Sequence, residues 1–570
     1  MLTVDHARAY VRDDPARACL AALVLANVAL VWSLPLIVGQ DLPQHLTYAR
    51  ILADYADPRL PFRDTFVLPE HPQPYFTAYL FLAPLTRLTS VLTACRVLYT
   101  VYVVAMATGF TSLVKAVHAR AVDVDAPAKT PWTALFGALL AWNPVQCVGF
   151  LPFMLSLPAV LFGAAFVIRT TETGKRSDYA ALVLACAAAA SLHLVAGACL
   201  VLFAAFYTAA RLKRHGLVVL GATAGATCLT VAAWHTLGER GLAELPTRAL
   251  VLSIKSMGLF DGVVRTLGVQ WTSFETKWAF VVATVLGPLT HGAKTVVAVL
   301  IVALVLVVVT LRKERAPRDP RTRARLAFGL SVVAFTLLVV ATPAAIRLPD
   351  DICLLDFRLY VLAFMLALAW VDPRWFEPQG ARVAITVFGA LVLMIWSRQL
   401  EGVAGEANEV VRLVDRLEPT ESVLALPFHD RSEYLDENNS VTHYFPMYYT
   451  ALKGGLTSLF WGKFSHHLPV GYRAGHEPSR PPDWDPSKFT RTQLLATSHV
   501  LVEWPDPDDG DPSVSGATRL RRELASGFTL MACEGRWCLY ASPSSRAQRA
   551  AAEKRVTAAK EAIEEKQARR

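Results

Sequence analysis

Apolar stretches long enough to cross a bilayer recur from Ala18 to Ser397, and that recurrence leaves few folds open to the chain. A helix needs about 20 mostly apolar residues to span the hydrocarbon core. Inside that layer every backbone polar group must be satisfied within the structure, which favours helices. Eleven spans are predicted, at about 18–38, 92–114, 132–148, 150–168, 179–193, 195–210, 217–235, 288–311, 326–343, 354–371 and 383–398. The run from 179 to 210 is too long for one span and divides at Ser191-Leu192-His193. Pro144 and Pro152 mark a short turn between the third and fourth spans. The predicted fold is therefore mainly α, a polytopic membrane helix bundle.

Charge gives the orientation. The chain is 54% hydrophobic and 18% charged, with a formal net charge of +9. Its basic residues sit mainly in loops between apolar runs, so the charge calls for no nucleic acid partner. With the N-terminus in the cytoplasm, alternate loops hold Lys115, Arg120 and Lys129; Arg169, Lys175 and Arg176; Arg211, Lys213 and Arg214; Arg312 to Arg325; and Arg374 and Arg382. The opposite short turns, near Gly149 and His193, hold no Lys or Arg. This is the positive-inside pattern. An odd number of spans then puts everything after Ser397 outside.

The predicted membrane region covers residues 1–399. Its first external loop, 39–91, begins with a helix over Asp41–Tyr55. Leu42, Leu46, Ala49 and Leu52 recur there at helical spacing, which suggests a helix lying on the membrane surface. Pro69, Pro72 and Pro74 interrupt the chain, and Tyr75–Leu88 reads as an interfacial or re-entrant helix. A second external loop spans about 236–287. Residues 400–545 read as a small extracytoplasmic α/β domain with a helix over 404–417, strands over 422–427 and 499–504, and a hairpin over 528–540. Within that hairpin Cys533 and Cys538 are either a disulfide, implying an oxidising compartment, or two unpaired core thiols. The last residues, 546–570, form a charged helical or disordered tail.

Two positions carry the candidate chemistry. Asp41 follows the first span in Gly39-Gln40-Asp41-Leu42-Pro43-Gln44-His45. Its carboxylate either accepts a proton or holds a divalent metal at the bilayer surface, or simply caps the next helix. His45, one turn on, is a candidate partner in catalysis or metal ligation. Divalent metal is the one cofactor these residues suggest. Arg358 and Tyr360 stand at the entrance of the tenth span. Arg358 either grips a lipid phosphate or pairs with Asp351 or Asp356. His71 is a further polar candidate, and Arg347, Lys255 and Arg265 are weaker phosphate candidates. His466-His467, His443 and His429 match no metal signature.

In layout the sequence resembles the GT-C superfamily of membrane glycosyltransferases, most like the protein O-mannosyltransferase and aminoarabinose-transferase branch. One span leads to the acidic Asp41, then to the helix His45-Leu46-Thr47-Tyr48-Ala49-Arg50. A proline-aromatic segment follows, His71-Pro72-Gln73-Pro74-Tyr75-Phe76. The next span opens with Ala94-Cys95-Arg96, and Phe357-Arg358-Leu359-Tyr360 marks a late entrance. The resemblance covers about residues 15–400. It implies a bundle of GT-C type that transfers sugar from a polyisoprenyl-phosphate donor to a glycan, lipid or protein acceptor on the external face. It also implies that Asp41 is the base or metal ligand and that Arg358 holds the carrier phosphate. The sequence departs from the family's acidic pair, which is here Gln40-Asp41, and from its Lys-Pro-Pro, which is here Gln73-Pro74. A multi-pass protein of a bacterial plasma membrane, acting on the cell envelope, is the expectation. The competing functions are a non-catalytic assembly protein of the same fold and a transporter or flippase.

Overall fold

A computed structural model describes residues 13–69, 75–118, 129–237, 270–271, 273–286, 290–310, 322–343, 355–435, 440–462, 469–505, 513–543, 545 and 557. Within these residues the helices are α1 (Pro15–Ser33), α2 (Leu42–Asp54), α3 (Thr77–Leu88), α4 (Val91–His118), α5 (Pro144–Val148), α6 (Leu151–Thr173), α7 (Arg176–Leu192) and α8 (Leu194–Arg211). They continue as α9 (Gly216–Leu237), α10 (Phe274–Leu286), α11 (His291–Thr310), α12 (Thr322–Ala341), α13 (Leu355–Trp370), α14 (Gln379–Val414), α15 (Tyr448–Lys453) and α16 (Ser513–Ala525). Eight of them are long and apolar enough to cross a membrane: α1, α4, α6, α8, α9, α11, α12 and α14. A shorter apolar helix, Phe357–Trp370, lies within α13.

Capping explains where the first span starts. Asp14 accepts from Arg17 N at 3.1 Å, and Pro15 fills the first turn, where a missing N–H costs nothing. Deeper in the bundle, buried Asn27 donates to Leu23 O and Ala138 O and accepts from Trp142 Nε1 at 2.6 Å. Such a polar contact between helices has no water to compete with it in a bilayer.

Several predicted elements differ, and among the described residues eight helices rather than the expected eleven are long and apolar enough to span. The span expected over 132–148 is not one helix. It breaks into Trp132–Ala134, Leu135–Leu139 and α5. Pro144 biases Asn143 away from helical geometry, and the Asn143 side chain then accepts from Val145 N and Gln146 N to start a new helix. The helix expected over 404–417 is the far half of α14, which runs unbroken for 36 residues. At 1.5 Å per residue that is about 54 Å, well beyond the roughly 30 Å of a bilayer core.

Beyond the bundle a five-stranded sheet has the order β3-β2-β5-β7-β6, built from β2 (Ser422–Pro427), β3 (Leu456–Thr457), β5 (His499–Glu503), β6 (Thr529–Glu534) and β7 (Trp537–Ala541). β2 pairs in parallel with β3 and β5, and β7 runs antiparallel to β5 and β6. Cys533 and Cys538 face each other across the β6–β7 turn and are disulfide-bonded. Alternating residues of β2 and β5 pack on Leu520 and Leu524 of α16.

This sheet region closes over the first loop. β1 (Phe66–Val67) pairs with β4 (Gly471–Tyr472), Gln44 donates to Leu459 O at 2.6 Å, and Tyr448 donates to Ile37 O at 3.0 Å. The expected surface helix is therefore no surface at all. Every residue of α2 from Leu42 to Ala49 is buried, because residues 447–462 and 469–472 cover the face that the apolar stripe leaves open. The tail 546–570 lies outside the described residues except for Thr557.

Candidate active site

The chain leaves α1 extended, and two glycines let it touch α5. A Cβ on Gly39 would stand 2.8 Å from Gln146 O, and one on Gly149 would stand 2.8 Å from Asp41 N. Gly149 also sits at φ +83°, where other residues are strained. Through this close approach Gln40 N donates to Cys147 O at 2.8 Å and Asp41 N donates to Val148 O at 2.9 Å. Arg96 holds the exit of α1 from outside, donating to Leu34 O and Pro35 O.

Asp41 thus has a fixed backbone, and its side chain is not spent as a cap. It occupies the N-cap position of α2 but makes no side-chain cap bond. The carboxyl is 5% exposed, and burial pushes its pKa up to about 8, with Arg358 pulling in the opposite direction. Burial disfavours the charged form, and a nearby cation restores part of it.

His45 faces the same region with its ring engaged. Nδ1 lies 2.5 Å from the Tyr79 hydroxyl, and the ring also hydrogen-bonds to the Gly149 backbone. Burial pushes it down to about 3, so it is neutral at ordinary pH. A neutral imidazole satisfies both contacts, donating from one nitrogen to the carbonyl and accepting the hydroxyl at the other. Gln44 Oε1 and Tyr48 Oη, on the same face of α2, are buried and make no hydrogen bond among the described residues. Asp41, Gln44, His45 and Tyr48 follow the i, i+3, i+4, i+7 spacing of one helical face.

Arg358 comes from the first turn of α13. Its Nη1 lies 3.0 Å from His193 Nε2, and its guanidinium lies over Phe150 at 4.1 Å and Phe153 at 5.8 Å. Tyr75, at φ +68°, lays its ring 4.6 Å from His193, and Thr77 donates to Ser191 O at 3.0 Å. Tyr75 and Thr77 are thereby tied to the α7–α8 turn. Asp41 and Arg358, 317 positions apart by number (358 − 41), act on each other electrostatically.

Other sequence candidates stand elsewhere. Tyr360 lies two residues beyond Arg358, which turns it away from that side of α13, and it is buried in the apolar core. His71, Arg347, Lys255, Arg265, His466 and His467 lie outside the described residues. No group of three or more His, Cys, Asp or Glu side chains converges among the described residues. With the His45 ring engaged, the described residues do not form a metal cage, and no step is derived through a metal. His193, Tyr75, Tyr79 and Phe150 belong to the site but were not singled out from sequence. The helical spacing of Gln44 and Tyr48 with Asp41 was the available signal.

Two solved structures of ArnT from Cupriavidus metallidurans are similar to this chain, the apo form with a TM-score of 0.49 and the form bound to undecaprenyl phosphate with 0.47. Each is 12% identical, and each match covers 92% of this chain and 97% of the other. No family model and no curated protein matches the chain. Likenesses at TM-scores below 0.5 carry no role from those proteins to residues of this one.

Proposed function

We propose that this protein is a glycosyltransferase that moves a sugar from a polyisoprenyl-phosphate donor to an acceptor hydroxyl at the external membrane face. One observation carries the reading. A buried carboxyl with no cap bond, Asp41, shares the mouth of an apolar bundle with a buried guanidinium, Arg358. A lipid-linked donor places its phosphate at the depth where the spans end, with its tail among the helices.

In this mechanism the Asp41 carboxylate takes the proton of the acceptor hydroxyl as the oxygen bonds to the anomeric carbon. The bond from that carbon to the phosphate oxygen breaks, and its electron pair leaves on the phosphate. Arg358 stabilises that charge with hydrogen bonds aimed where it develops. His45 stays neutral and, with Tyr79, holds α2 against Gly149. Phe150 and Phe153 exclude water from the guanidinium.

The disulfide between Cys533 and Cys538 supports an extracytoplasmic sheet region, in keeping with the basic loops on the other side. A bacterial plasma membrane remains the proposed location.

The test is transfer of labelled sugar from a panel of polyprenyl-phosphate sugars by the full chain in reconstituted membranes. The reading expects transfer by the wild type and its loss in a folded Asp41→Asn variant. Transfer that survives in Asp41→Asn removes that residue from the mechanism. No release of sugar from any donor by the wild type sinks the transferase reading.

A further inference from the structure

Tyr48 shares an apolar cluster with Tyr444 and Trp484 and meets the Tyr79 ring edge-on at 5.8 Å. Its ring packs on Phe460 at 4.9 Å, and Phe460 packs on Tyr472 at 5.5 Å. From Tyr444 the aromatic run continues outward. Trp461 meets it at 5.1 Å and 88°, with Nε1 donating to the Tyr444 hydroxyl at 3.0 Å. Trp484 meets it at 6.4 Å and 84°, and the Arg480 guanidinium lies 4.3 Å over the Trp484 ring. Tyr444, Trp461, Arg480 and Trp484 are all partly exposed.

The backbone beneath this group is strained. Asp483 and Trp484 sit at φ +55° and +60°, consecutive left-handed positions with no glycine. A bulky residue there is an outlier, and such strain persists where the surroundings over-determine it, often at ligand clamps. Trp484 is half-buried: one side packs on the apolar cluster around Tyr48 and Phe460, and its ring also meets a guanidinium, a histidine and a tyrosine.

Aromatic faces carry negative charge and attract weakly positive hydrogens. The C–H face of a sugar ring supplies such hydrogens, and its hydroxyls suit Arg480 and the tyrosine. A lipid tail would suit neither. We propose that Tyr444, Trp461, Trp484 and Arg480 form a carbohydrate-binding platform that presents a glycan acceptor to Asp41. As an acceptor subsite it rests on the transferase reading. Tyr48, which packs in the same apolar cluster as Tyr444 and Trp484 and whose buried hydroxyl makes no hydrogen bond among the described residues, is the link between platform and carboxyl.

Binding is tested on the full chain in lipid nanodiscs by saturation-transfer NMR and tryptophan fluorescence. The probes are maltohexaose, mannohexaose, chitohexaose and an arabinan hexamer. At least one should bind the wild type. Trp484→Ala and Trp461→Ala should each weaken it about ten-fold, the scale of one stacked aromatic. Trp484→Phe should retain binding and serves as the folding control. Binding of no probe, or binding undiminished in both alanine variants, overturns the platform. The transfer assay separates the two ideas. Sugar transfer with an unchanged acceptor KM in both alanine variants leaves the transferase standing and removes the subsite. Glycan binding that needs Trp484 with no donor turnover leaves the platform and removes the transferase.

Discussion

Glu172 and Asp372 at one end of the bundle and Asp41 at the other are treated in opposite ways. At the end where the basic loops lie, Glu172 bonds Arg211 at 2.6 Å and Lys213 at 2.5 Å, and Asp372 bonds Arg325 at 2.7 Å and Arg374 at 3.0 Å. The hydrogen bonds from Arg374 and Arg325 outweigh burial there and hold Asp372 down at about 2. At the other end Asp41 is buried, lacks such a bond and is pushed up to about 8. Paired acids tie helix ends together. A buried acid kept from its usual partners costs stability and is the commoner mark of a working group.

The contrast breaks first at Asp41. Its replacement by Asn should lower transfer by about 100- to 10,000-fold, the range of a lost general base, with the melting temperature in detergent unchanged or higher. Arg358→Gln should lower kcat/KM by about 100-fold or more, and Arg358→Lys should recover only part of it, since a lysine lacks the planar fork. An unaffected Arg358→Gln enzyme would place the donor phosphate elsewhere.

Gly149→Ala tests position rather than chemistry. The new Cβ would press on Asp41 N and Leu42 N at a left-handed φ, so turnover should fall about ten-fold while donor binding persists. The pH profile sharpens the picture further. Asp41 acts as a base only when deprotonated, so kcat/KM should rise with pH and level off above about 8. A flat profile from pH 6 to 9 would detach the carboxyl from the rate. Smallest in transfer is Asp372→Asn. Its lowered pKa means that its stabilisation is present above 3.8 and fades as pH falls towards 2. The variant should melt earlier at neutral pH and transfer sugar as well as the wild type.

Asp41 and Arg358 were legible because a charge at the end of an apolar run stands out in any window. Their convergence was not, since nothing local links Arg358 to His193, 165 positions away. The strands at 422–427 and 499–503 were legible from their apolar runs between turn residues. The unbroken α14 was missed for a physical reason. Its apolarity stops near Ser397, but no proline follows before Val414, so the backbone continues while only the surroundings change. The buried face of α2 was obscured because Leu42, Leu46 and Ala49 mark one side, and the cover over the other arrives 400 or more positions later, as in Thr47 bonding Met447 O and Gln44 bonding Leu459 O.

That unbroken α14 has a mechanical consequence. The same rod that crosses the apolar layer packs on β6 and β7, with no joint between. A helix longer than the local bilayer accommodates the mismatch by tilting. Here a tilt would carry the sheet with it and swing residues 447–462 relative to α2. Lipid chain length thus becomes a lever on the cap, and turnover should track bilayer thickness even when donor, acceptor and pH are held constant.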